Sequence, residues 1–172
     1  MNAQIDIVAQ PVTPENFARF GTVHDLLGDA DPKVVWTTGD GWRDGFTSTP
    51  LIEGSGHLGV TRGGVAPWGC TQMERHHKTE EALFCAGDRI VLAVAPASDA
   101  AAPHRDDIEA FVISPGQVVV MKRGVWHDAC RGASYPTAYF WMAMCGVETS
   151  PWVPVDGGPA TVHVAQERGH RA

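Results

Sequence analysis

The sequence lacks several features that would place it at once. It has no C-x-x-C pair: Cys70, Cys85, Cys130 and Cys145 stand far apart. A disulfide scaffold or a Cys-rich zinc site therefore has no basis. No run of about 18 apolar residues occurs, so no transmembrane helix is expected. The first residues, Met1-Asn2-Ala3-Gln4-Ile5-Asp6, show no basic stretch ahead of an apolar run, so no signal peptide is expected. Reduced thiols and a cytoplasmic setting follow as the default. Positive charge is also scarce. Lys and Arg number 13 against 20 Asp and Glu, a formal net charge of −7. Nucleic acid is excluded as a partner, because phosphates are met by clustered Lys and Arg. An anionic membrane surface is not expected either. A small anionic substrate stays open, because a few local Arg or His side chains can outweigh a distant net charge.

What is present is an apolar chain of ordinary domain size. Its 172 residues suit one domain, and a 44% apolar content excludes a disordered protein. Residues 1–172 are read as a single domain with a barrel core at about 55–148. One short helix is expected near the start, over Thr13 to Gly21. Thr13 can cap it, Pro14 suits its first position and Gly21 its stop. Residues 24–55 are rich in Asp, Gly, Thr and Trp and read as loops with short irregular strands. From His57 onward the pattern becomes β. Apolar runs such as 58–61, 90–94, 110–113, 118–121 and 138–142 are punctuated by Gly or Pro, and 161–164 is one further candidate strand. Many short strands separated by turns predict a mainly β sandwich or barrel.

Two segments carry chemistry. The first is Gly116-Gln117-Val118-Val119-Val120-Met121-Lys122-Arg123-Gly124-Val125-Trp126-His127. A glycine turn leads into an apolar strand, and a second turn at Gly124 returns the chain with His127. This resembles the second motif of the cupin barrel, with Lys122 where a proline is usual and Arg131 where a later Asn is common. The other is Glu74-Arg75-His76-His77-Lys78-Thr79-Glu80-Glu81, followed by Gly87. It resembles the first cupin motif, with Glu74 in place of the first His, then His76, then Glu81. Strand side chains alternate faces, so Glu74 and His76 can point the same way while His77 faces out. Glu80 competes with Glu81, which is preferred because it restores the spacing. Two imidazoles and one or two carboxylates suit a divalent metal such as Zn, Ni, Mn or Fe(II). Glu74, His76, Glu81 and His127 are the expected ligands. A barrel without metal, using these groups directly as acid and base, is the alternative.

The chain also resembles the ureidoglycolate lyase family, a cupin group of purine (allantoin) catabolism. The resemblance runs from about residue 10 to 145. It is carried by Pro11 to Gly21, by Glu74-Arg75-His76 and by Val125-Trp126-His127. The sequence departs from the family pattern at Thr38-Gly39-Asp40-Gly41-Trp42-Arg43, which keeps a glycine and the Arg but not the Asn. It departs again at Asp128 and at Glu81, where the family often has Gln. The resemblance implies a lyase splitting ureidoglycolate into glyoxylate and urea. His76, His127 and Glu81 are then the expected catalytic groups. Arg43 is either the fork that holds the substrate carboxylate or a solvated loop residue. Trp126 is either core or a pocket wall against the substrate. A homodimer is expected on the same ground. Trp36, Trp42, Trp68, Trp141 and Trp152 are assigned to packing, with one or two of them as candidates for the pocket mouth, and Cys85, Cys130 and Cys145 to buried spacers. Two other readings stand beside the lyase: a cupin isomerase, lyase or dioxygenase for another small carboxylate or sugar acid, and a non-catalytic sensor that keeps the barrel.

Overall fold

A computed structural model describes residues 4–165. The two ends of the expected 1–172 domain, residues 1–3 and 166–172, lie outside the described residues. The chain is mainly β. Its strands are β1 (Ile5–Pro11), β2 (Gly21–Asp25), β3 (Val34–Gly39), β4 (Trp42–Thr47), β5 (His57–Gly63), β6 (Trp68–Cys70), β7 (Gln72–Met73), β8 (Glu81–Cys85), β9 (Ile90–Ala95), β10 (Glu109–Ile113), β11 (Gln117–Met121), β12 (Trp126–His127), β13 (Arg131–Gly132), β14 (Thr137–Ala143), β15 (Val153–Pro154) and β16 (Ala160–Val164). Among the described residues the one helical element is a 3-10 turn, Arg105–Asp107.

Two curled sheets face each other. The larger has the order β12-β9-β10-β1-β16-β6, with β13 also on β9; the smaller runs β2-β11-β8-β14-β5. Their inner faces share one core, to which Val23, Leu83, Leu92, Phe111, Val119 and Tyr139 all contribute. The six residues of β9, Ile-Val-Leu-Ala-Val-Ala, are all buried, because a second apolar cluster covers the other face of the larger sheet. This explains why β9 reads as a continuous apolar run rather than an alternation.

The expected helix over 13–21 does not form. Thr13 and Asn16 exchange hydrogen bonds, Thr13 N to Asn16 Oδ1 at 2.8 Å and Asn16 N to Thr13 Oγ1 at 3.2 Å. This is the reciprocal pattern of a helix start. The chain then makes only isolated turns, with Phe17 N donating to the Thr13 carbonyl and Gly21 N to the Phe17 carbonyl. Tertiary packing overrides propagation. Phe17 and Phe20 both lie edge-on to Phe111, at 5.2 and 5.6 Å between ring centres. Gly21 enters β2 so close to β11 that a Cβ there would overlap the Val120 carbonyl oxygen.

Two elements were not expected from sequence. Residues 34–47 form a regular hairpin, β3 on β4, closed at Asp40-Gly41 with Gly41 at φ +77°. β1 lies in parallel register between β10 and β16, placing Ile5 opposite Ala160 and Gln10 opposite Phe111.

Candidate active site

The 116–127 segment folds as its glycines dictate. Gly116 (φ +88°) and Gly124 (φ +80°) both take the left-handed conformation that favours glycine, one turn on each side of β11. The second turn delivers β12, which pairs with β9 so that His127 stands opposite Val94. On its other side, β12 meets Glu74 in an antiparallel bridge. Glu74 N donates to the His127 carbonyl at 3.0 Å and His127 N to the Glu74 carbonyl at 2.9 Å. A directly paired position of this kind puts the two side chains beside each other on one face. Two residues on, the His76 carbonyl accepts from Gly124 N at 2.6 Å. The alternation expected for 74–76 therefore holds. Glu74 and His76 face a cavity, while Arg75 turns away to lie over the Trp126 ring at 4.0 Å.

Glu81, at the start of β8, reaches the same point from the opposite sheet. Its Oε2 lies 3.0 Å from His76 Nε2 and 3.3 Å from His127 Nε2. Glu74 Oε1 lies 3.8 Å from His127 Nε2. Glu80 points elsewhere, accepting a hydrogen bond from Glu53 N, so Glu81 is the residue that faces the site. His77 is exposed, as alternation predicts.

The electrostatics follow from this packing. Burial alone would raise the Glu81 carboxyl, but the two imidazoles outweigh it and hold it at about 2. Burial alone would lower His127; Glu81 and then Glu74 reverse that and raise it. Glu74 is raised, first by burial, against the pull of both imidazoles. Two carboxyls that both face His127 Nε2 are thus pushed in opposite directions.

The residues fit a divalent cation. His127 Nε2 is buried and faces the Glu81 carboxylate at 3.3 Å, while its Nδ1 faces the Val125 carbonyl at 3.3 Å. His76 Nδ1 faces Ser150 Oγ at 2.7 Å. Imidazoles held from behind at one nitrogen, with the other turned to a carboxylate in the cavity, present donors that a metal can use. One ligand atom each from Glu74, His76 and His127 lies within 4.8 Å of the others. Glu81 stands against both imidazoles as a fourth group. The nitrogen and oxygen donors suit Zn, Ni, Mn or Fe(II).

The cavity around these residues has a volume of about 430 Å³. The structure does not bring Arg43 or Trp126 into it. Arg43 lies on the β3–β4 hairpin, where it pairs with Asp29 at 2.6 Å and covers the Trp36 ring at 3.8 Å. Trp126 is buried in the second apolar cluster, because the alternation that turns His127 into the cavity turns its neighbour out. Cys145 also departs from expectation. It is exposed on the turn after β14 and lines the cavity, whereas Cys70 and Cys130 are buried.

A segment that sequence reasoning passed over forms one wall. Residues 144–154 run antiparallel to 72–79 as a strap. Val153 pairs with Met73, Ser150 meets His76, Glu148 Oε1 accepts from Lys78 N at 2.9 Å, and Met144 N donates to Thr79 Oγ1 at 2.9 Å. Its residues show no periodicity, and only the pairing reveals them. Trp152 stands at the mouth.

Against this geometry, the family model for ureidoglycolate lyase matches residues 4–149. The chain belongs to the ureidoglycolate lyase family. It is accordingly an enzyme of the lyase type. No protein of curated function matches it. Among solved structures, the chain is similar to RmlC from Streptococcus suis, determined in complex with dTDP-D-xylose. Identity is 13%, the match covers 72% of this chain and 71% of that one, and the TM-score is 0.37. That likeness is too distant to support either fold or function. No described helix is long and apolar enough to cross a membrane.

Proposed function

We propose that this member of the family is a metal-assisted lyase that splits ureidoglycolate, or a closely related ureido hydroxy acid, into glyoxylate and urea. The supporting scaffold is a cupin-type double-stranded β-helix, read from the two facing sheets and the glycine turns that frame β11. The observation that carries the proposal is the convergence of Glu74, His76 and His127, with one ligand atom of each within 4.8 Å of the others.

Glu74, His76 and His127 would hold the cation, with Glu81 as a further ligand or as the proton carrier. When bound, a divalent cation supplies a Lewis acid for the substrate carboxylate and hydroxyl and lowers the hydroxyl pKa. The reaction moves one proton from the hydroxyl oxygen to the departing nitrogen as the C–N bond breaks. A single carrier reaching both atoms therefore suffices. The contacts of Glu81 Oε2 with both imidazoles support giving it that role. Ser150 fixes His76 from behind, and the Val125 carbonyl fixes His127.

The opposed shifts of Glu74 and Glu81 favour a second reading without metal. In it, Glu74, raised by burial, takes the hydroxyl proton, and protonated His127 delivers one to the urea nitrogen. Metal analysis separates the two. Under the first reading, protein prepared without chelator carries about one ion per chain (a mononuclear site), and Glu74→Ala or His76→Ala loses it. Glyoxylate release from ureidoglycolate is the activity assay. No turnover with any divalent metal, or without one, would sink the lyase reading.

We further propose a cytoplasmic homodimer acting on a small anionic substrate. Leu58 and Val60, 64% and 59% exposed on the edge strand β5, support a face covered by a second copy. Light scattering that gives a monomer mass at micromolar concentration would refute the dimer.

A further inference from the structure

The cavity wall has an unusual charge inventory. Among its described lining residues there is no Lys or Arg, but there are four carboxylates: Glu74, Glu81, Asp128 and Glu148. Three are already engaged. Glu74 and Glu81 face the imidazoles. Asp128 accepts from the Trp68 indole N–H at 2.8 Å with one oxygen and from Ala129 N at 2.7 Å with the other, and Arg131 stands 3.8 Å away. Glu148 is different. It lies on the strap, and among the described residues its Oε1 accepts from Lys78 N at 2.9 Å. A carboxylate offers about four lone-pair sites, so acceptor capacity remains at the cavity.

Its position is fixed relative to the reacting centre. Ser150, two residues further along the strap, faces His76. Two residues of chain span at most about 7 Å. Thr149 between them is exposed, whereas Glu148 and Ser150 both line the cavity. A wall without a fixed cation gives no partner to a second anionic group on the ligand. It gives partners to N–H donors.

Resting on the lyase reading above, we infer that Glu148 is the residue that recognises the ureido end of the substrate, its carboxylate accepting the terminal N–H groups. Glu148 is thereby a specificity determinant: it distinguishes a ureido acid from an acyl-amino acid of the same shape.

The test compares ureidoglycolate with 2-acetamido-2-hydroxyacetate, in which a methyl group replaces the terminal amine. Both release glyoxylate on C–N cleavage, so one assay reads both. The wild-type holoenzyme should prefer the ureido acid in kcat/KM by about 10- to 100-fold, the value of a hydrogen bond to a charged partner. Glu148→Ala should erase the preference by lowering kcat/KM for the ureido acid alone. Glu148→Gln retains a carbonyl for Lys78 N, guarding against loss of the strap, and should reduce the preference in part. Equal loss on both substrates in both variants would overturn the inference, as would wild-type turnover of both with no preference. Absence of glyoxylate from ureidoglycolate with the wild type would take down the lyase reading and this inference together.

Discussion

Replacing Glu81 by Gln removes one negative charge from between two imidazoles while keeping shape and volume. Glu81 is only 13% exposed, so solvent does little to screen it. Its carboxyl is held at about 2 against an ordinary 4.5. At 1.36 kcal/mol per pH unit, that difference corresponds to about 3 kcal/mol of folding stability. The Gln carbonyl still accepts one N–H, so the loss at neutral pH is at most about 3 kcal/mol. For a chain of this size it lowers Tm by up to about 6–12 °C.

The sign is definite. The native state holds Glu81 below its unfolded value and so binds fewer protons than the unfolded chain. Its contribution is complete above pH 4.5 and is lost as pH falls toward 2. His127 runs the other way. Raised above 6.5, it contributes fully below that pH and is lost as pH rises through its folded value. Glu74, raised by burial, opposes Glu81 on the acid side, so the informative quantity is the difference between wild type and variant. Thermal unfolding in excess chelator from pH 3 to 9 measures it. The difference should be largest at about pH 5–6 and shrink toward both ends. A variant with wild-type Tm across the whole range would refute the reasoning, because the cluster would then contribute no net stability.

Three further outcomes follow from the placement of single residues. Arg43→Ala should leave kcat/KM for glyoxylate release within about 2-fold of wild type, the range of a surface change of about 0.5 kcal/mol; a loss of 100-fold would return Arg43 to the substrate. Gly21→Ala should lower stability by about 1–3 kcal/mol or more in urea unfolding, since the new methyl must displace the Val120 carbonyl. Native protein treated with iodoacetamide should be alkylated first at Cys145, as Cys70 and Cys130 are buried and their thiols raised; peptide mass spectrometry showing Cys130 labelled first would contradict the packing.

Much of the site was legible because its residues obey local rules. The Gly116 and Gly124 turns fix the return of β12, and so the position of His127. Strand alternation alone places Glu74 and His76 on one side and Arg75 on the other. The same rule, applied to residues 126 and 127 together, would have excluded Trp126 from the cavity. What could not be read depends on distant partners. Thr13 and Asn16 form a sound helix start, yet Phe111 captures Phe17 and Phe20 before the helix extends. β1 alternates Ile5, Ile7 and Ala9 against Asp6, Val8 and Gln10, but its value comes only from β16 and β10. Glu148 and Ser150 sit in a stretch with no pattern, and their roles exist only because 144–154 lies along 72–79.

The parallel pairing of β1 with β16 sets an order in time. Ile5 meets Ala160 only after nearly all the intervening chain has been made, and closing so long a loop is entropically costly and slow. β6 also waits for β16, and β7 for β15. The strap ends in β15, one of these late strands. On a ribosome, the wall of Glu74, His76 and His127 would exist before the strap that closes it. A chain stalled short of residue 150 would expose an imidazole and carboxylate cluster with nothing behind His76.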